Sequence, residues 1–185
     1  MGKGDVHETL RTLASDLEEA GIDYAIIGGM ALNAHGYKRE TVDVDVLVRP
    51  EGLQAFHDRF VGRGYLEAFA GARKTFKNTR TKTKVEFIAT GEYPGDGKPK
   101  AIVFPDPASV AVEMKGARYV NLPTLIELKL ASGMTNPGRL KDLGDVQELI
   151  HELSLPAEFA NQLNSFVRDK FLELWRGVQG RPAEL

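Results

Sequence analysis

Residues 26–48 read IIGGMALNAHGYKRETVDVDVLV. An apolar strand end runs into Gly28 and Gly29, a short helical run and a basic turn follow, and then Asp43 and Asp45 alternate with valines. Alternate side chains of a strand share a face. The pattern predicts that Val42, Val44, Val46 and Val48 enter a core while Asp43 and Asp45 point together the other way. Two neighbouring carboxylates raise each other's pKa unless a cation lies between them. Magnesium suits such an all-oxygen site, held by one or two carboxylates and phosphate oxygens. The competing reading is an edge strand whose wet face carries acids against aggregation. An EF-hand calcium loop fits poorly, because Leu47 and Val48 stand where the ligand at its position five and the glycine at its position six belong.

Gly28 and Gly29 sit between a strand and a helix, where a backbone can approach a phosphate and helix-start amides attract its charge. A tight strand-to-helix turn explains the pair equally well. The dinucleotide fingerprint is excluded by Met30 and Ala31, and the P-loop by the lack of a following GK[ST].

Working outward, the chain has 185 residues, of which 42% are hydrophobic and 27% charged. Those values describe one sizeable folded domain, or a domain with a helical appendage. The formal charge of -2 hides a local excess: Arg73, Lys74, Lys77, Arg80, Lys82 and Lys84 follow one another with no acid before Glu86. An anionic partner and a solvated β-hairpin are both compatible with that run. Cysteine is absent, so disulfides, thiolate catalysis and cysteine zinc sites are excluded. The polar start and the lack of a long apolar window predict a cytoplasmic protein without a membrane span.

Periodicity predicts a first helix over 5–20 with Val6, Leu10, Leu13, Ala14 and Leu17 inward, stopped by Gly21. Strands are expected at 24–27, 42–48, 65–69, 73–77, 84–89 and 101–104, with a hairpin around Gly116. Short helices are expected at 30–35 and around Leu53, Phe56, Phe60 and Val61. From Pro123 onward helices are expected at 123–131, 139–153 and 156–178. The fold class is therefore α+β, with an α/β core over 1–122 and a helical segment over 123–185.

Taken together, GGMALNAHGYKRETVDVDVLV resembles the signature of the polymerase β-like nucleotidyltransferase superfamily, with a glycine pair at a strand end, a short helix, and a DxD on the next strand. It is most similar to the stand-alone bacterial branch that includes abortive-infection toxin nucleotidyltransferases, in which an arginine and a threonine precede the DxD. Arg39 and Thr41 stand there. The resemblance implies a third carboxylate from a later strand. Glu86 in KVEFIA is the candidate, with Val85 and Phe87 coreward by alternation, and Glu113 is the alternative. Lys84 shares the face of Glu86, as a phosphate ligand or a solvated lysine. Further on, LPTLIELKLASGMTNPGRLKDLGDVQELI is similar to the branch's later segment, which carries Lys129 and Asp142 over as nucleotide-binding residues. Asp142 is also readable as an N-terminal helix charge, and Asp145 as a surface partner of Arg139 or Lys141.

The resemblance implies transfer of a nucleotide from a nucleoside triphosphate such as ATP to an acceptor hydroxyl, with pyrophosphate released and magnesium or manganese as cofactor. Asp43, Asp45 and Glu86 would be the catalytic and metal-binding residues, and Gly28, Gly29, Arg39, Thr41, Lys129 and Asp142 would hold the nucleotide. The acceptor is RNA such as transfer RNA, a protein or a small molecule. An antitoxin or a second copy is a further candidate partner, and a catalytically silent nucleotide- or RNA-binding protein is the alternative function. The histidines show no metal-ligand spacing, and Phe159, Phe166, Phe171 and Trp175 read as a core or docking face.

Overall fold

A computed structural model describes residues 3–180. The first helix, α1 (Lys3–Glu19), buries Val6, Leu10, Leu13, Ala14 and Leu17. Gly21, at φ 67°, releases the chain from it. Strand β1 (Tyr24–Ile27) is buried throughout. Helix α2 (Gly28–His35) begins at the glycine pair itself, two residues before the expected start. Strand β2 (Asp43–Val48) and helix α3 (Pro50–Phe60) follow. Then come β3 (Tyr65–Glu67), β4 (Thr75–Asn78) and β5 (Lys84–Ala89). A single-turn helix α4 (Pro107–Val110) precedes the hairpin of β6 (Ala111–Met114) and β7 (Ala117–Val120). Lys115 and Gly116 both take positive φ, 52° and 78°, as a two-residue turn matched to strand twist requires.

The seven strands form one mixed sheet in the order β3-β4-β5-β2-β1-β7-β6. Strand β2 pairs antiparallel with β1 and parallel with β5. Phe56 of α3 packs among Phe60, Tyr65, Phe76 and Phe87, with ring centroids 4.5 to 5.4 Å from it. Phe76, the aromatic inside the basic run, is thereby fully buried. It cannot stack on a base.

The chain divides into two compact units. The first holds the chain up to Ala34, Lys38–Gly91 and Phe104–Asn121; the second holds His35–Tyr37, Glu92–Val103 and the chain from Leu122. In the second unit, α5 (Leu122–Thr135) and α6 (Leu140–Glu152) pack closely: a Cβ at Gly133 would meet the Leu143 side chain at 2.6 Å. Helix α7 (Ser165–Gln179) closes this unit, with Phe171 stacked on Phe159 at 5.6 Å and the Trp175 indole donating to the Leu155 carbonyl. Phe166 stays exposed. Among the described residues, no helix is long and apolar enough to cross a membrane.

Three expectations need correction. Val42 lies outside the ladder and is 62% exposed, so the valine face of β2 starts at Val44. No strand forms over 101–104. Phe104 O instead accepts from Gly91 N at 2.9 Å, and just upstream the Lys100 ammonium donates to Pro94 O and Lys98 O and pairs with Asp96. The helix expected over 156–178 is broken into a 3-10 segment (Ala157–Gln162) and α7. Asn164 makes the break, its side chain accepting from Phe166 N at 2.9 Å as the cap of α7. Asn164→Ala is expected to cost about 1 kcal/mol in denaturant unfolding.

Candidate active site

The carboxylate pair is built by strand alternation. Val44, Val46 and Val48 of β2 are fully buried, while Asp43 and Asp45 on the other face are half-buried. That other face is not open along its whole length, since Leu47 is also fully buried. The acids thus occupy the N-terminal end of a strand that is otherwise covered on both sides.

Strand β5 places its own charges beside them. Its register sets Lys84 opposite Asp43 and Glu86 opposite Asp45, so all four side chains leave the same face of the sheet. Val85 and Phe87 are buried behind them. The Lys84 Nζ lies 3.1 Å from Asp43 Oδ2 and 3.3 Å from Glu86 Oε2. One ammonium therefore spans the two carboxylates. Burial opposes the charge of Lys84, but hydrogen bonds and attraction from Asp43 and then Glu86 outweigh it and raise its pKa above the usual lysine value. Glu113 is elsewhere: it sits on the edge strand β6 beside Arg118, with β1 and β7 between it and β2.

The glycine pair is explained by what leans on it. Gly28 has φ 65°, and a Cβ there would stand 2.1 Å from Asp45 Oδ2. A Cβ on Gly29 would stand 2.8 Å from both Cβ and Oγ1 of Thr41. Each glycine thus admits a site side chain against the start of α2. Gly28→Ala is expected to cost about 1–3 kcal/mol through the left-handed backbone alone. Thermal unfolding checks it, and the displaced Asp45 carboxylate would add loss of any activity.

The basic turn is held by a residue that periodicity did not single out. Asn33 donates from Nδ2 to Arg39 O at 2.9 Å and accepts from Arg39 N at 2.6 Å. The available signal was an asparagine inside a short helix, where it is a poor former unless its amide has a backbone partner. Thr41 Oγ1 donates to Asp43 O at 3.2 Å and so ties this turn to β2.

Lys129 and Asp142 also meet, within the second unit. The Lys129 ammonium donates to Asp142 Oδ1 at 2.9 Å and to Asp145 Oδ2 at 2.7 Å. Ser132 Oγ and Arg139 Nε donate to Asp142 Oδ2 at 2.7 and 2.9 Å. Asp145 is therefore buried against Lys129, and the expected placement on the surface, beside Arg139 or Lys141, is corrected. Burial works to raise the Asp142 pKa, but attraction from Lys129, the Ser132 and Lys129 hydrogen bonds and the charge of Arg139 together hold it below the usual carboxylate value.

The basic residues Arg73, Lys74, Lys77, Arg80 and Lys82 are exposed. Arg80 pairs with Glu8, and Lys77 stands opposite Lys84 across β4 and β5.

No family model and no curated protein matches the chain. Solved structures do. The antibiotic-resistance factor ANT(2'')-Ia superposes with a TM-score of 0.59 at 16% identity, covering 98% of this chain and 100% of its own. Its complex with adenylyl-2''-tobramycin gives 0.56 at 14% identity, with 93% and 98% covered. An antigenic nucleotidyltransferase-like protein from Paracoccidioides brasiliensis gives 0.59 at 17% identity, with 98% and 91% covered. This chain therefore shares, over nearly its full length, the nucleotidyltransferase fold of these neighbours, a mixed sheet flanked by helices.

Proposed function

We propose that the protein is a divalent-metal-dependent nucleotidyltransferase that moves a nucleoside monophosphate from a nucleoside triphosphate to an acceptor hydroxyl and releases pyrophosphate. The observation that carries this reading is the three-carboxylate face of β2 and β5, with Asp45 in register with Glu86 and Asp43 joined to Glu86 through one cation. The core over 1–122 would carry the chemistry and the helical segment over 123–185 would support it.

The donor set fits magnesium or manganese, since carboxylate oxygens on one face are hard ligands and already hold a positive charge between them. Asp43, Asp45 and Glu86 would be the holders. When bound, the metal supplies charge stabilisation at the attacking and leaving oxygens of an in-line phosphoryl displacement. The chain's own residues do the rest. Gly28 keeps space for Asp45 at the start of α2, whose first amides favour an anion. Asn33 holds the backbone of Arg39 so that its guanidinium can meet a phosphate, and Thr41 braces the turn against Gly29. Lys129 and Asp142 are proposed as nucleotide-binding residues on the resemblance alone, and their burial in a common ion network favours a supporting role.

For the acceptor, the exposed basic run on and around β4 and β5 favours an anionic molecule, with an RNA end first among them. The adenylyl-tobramycin complex of a neighbour makes a small hydroxylated acceptor the second arm of the test. Incubation with α-labelled and γ-labelled nucleoside triphosphates, magnesium and a cell extract should put the α label, and not the γ label, into one macromolecular or small-molecule fraction. Binding of nucleotide without any transfer would instead favour the silent reading.

A further inference from the structure

We infer that Lys84 is a resident counter-ion of the carboxylate site, and that a divalent cation loads onto Asp43 and Glu86 only by displacing its ammonium. The inference rests on the metal-dependent reading above and concerns what sets metal affinity there.

Backbone register leaves Lys84 little choice of neighbours. It stands directly opposite Asp43 on the parallel strand and two residues before Glu86 on its own strand, so both acids flank it on one face. On its other side, antiparallel pairing puts Lys77 directly opposite. Like charges facing each other across strands repel, which drives the Lys84 head toward the acids. Its contacts with Asp43 Oδ2 and Glu86 Oε2, at 3.1 and 3.3 Å, set its positive charge against one oxygen of each carboxylate a metal would need. A hard divalent ion binds a carboxylate oxygen at about 2 Å. An ammonium left on that oxygen would face a second positive charge at close range. Metal entry therefore breaks both lysine contacts, and metal affinity is the difference between two cations competing for the same oxygens. Without metal, the lysine offsets the repulsion among the acids.

The test is manganese binding without nucleotide, by isothermal titration and by the electron-spin signal of free manganese, on the wild type, Lys84→Met, Lys84→Gln, Lys84→Arg and Asp43→Asn. Removing a group that acts on metal ligands commonly changes affinity by about 10- to 100-fold. Lys84→Met and Lys84→Gln should therefore bind at least about tenfold tighter than wild type, Lys84→Arg should stay near wild type, and Asp43→Asn should lose binding. In thermal unfolding, the neutral variants should melt below wild type in chelator and gain more on adding manganese. If Lys84→Met folds poorly, Lys84→Gln carries the comparison. Equal or weaker binding by the neutral variants, with Asp43→Asn still defective, overturns the counter-ion role and leaves the nucleotidyltransferase reading standing. Absence of Asp43-dependent binding in the wild type and the neutral variants alike overturns both.

Discussion

Asp45→Asn is expected to reduce nucleotidyl transfer by about a thousandfold, and Asp43→Asn by a similar factor, with little change in the circular dichroism spectrum. The factor follows from the position of the two groups. Both leave one face of β2, and Asp45 faces Glu86 across the parallel ladder, so an amide at either place removes one negative charge from a three-carboxylate cluster. Asparagine keeps the side-chain volume, and at position 45 it keeps the contact that Gly28 was left bare to accept. Loss of rate with retained fold would therefore report charge and not packing. Glu86→Gln should fall in the same direction. Retained α-label transfer in both Asp43→Asn and Asp45→Asn would remove these residues from the chemistry. Equal loss in a variant at Glu113, which lies on the far edge strand, would point to a global defect.

Much of this site is readable along the chain because its logic is local. Strands Tyr24–Ile27 and Lys84–Ala89 fall where alternation and burial place them, and the five inward residues of α1 are those at helical spacing. The side of β2 that carries the acids also follows from period two alone. What cannot be read locally is pairing. Only the register of β2 with β5 puts Glu86 opposite Asp45 and Lys84 opposite Asp43, and nothing in KVEFIA sets that alignment. Ile102 shows the converse: it is buried in an apolar stretch that reads as a strand, yet its segment joins no ladder of the sheet. Periodicity also runs through Asn164 unbroken, although an asparagine followed by a helical run is a cap signal. The burial of Asp145 was hidden for a similar reason. Spaced acids on an amphipathic helix read as solvated until another helix brings a lysine to them.

That lysine carries the second large effect. Lys129→Met is expected to destabilise the protein by about 3–5 kcal/mol, because it leaves the buried carboxylates of Asp142 and Asp145 without their shared cation. All three groups are under a tenth exposed, so solvent does little to replace the lost partner. Arg139 and Ser132 still reach Asp142, but the cation that Asp142 and Asp145 shared is gone and two buried negative charges stand close together. A second change, Asp145→Asn, should therefore restore part of the loss, and the double-mutant cycle should show strong coupling. The pH dependence separates the variants further. In the wild type the folded-state pKa of Asp142 lies below its ordinary 3.8, so its contribution is full above that value and is lost as pH falls through the lower, folded-state one. In Lys129→Met the burial that works to raise the Asp142 pKa loses its main opponent, its folded-state pKa rises above the unfolded one, and the variant should gain stability as pH falls from neutral toward 5. Urea unfolding of both proteins across that range checks the sign. A Lys129→Met protein as stable as wild type, with weakened nucleotide binding, would instead show that the ammonium serves the triphosphate and that the network around it is incidental to folding.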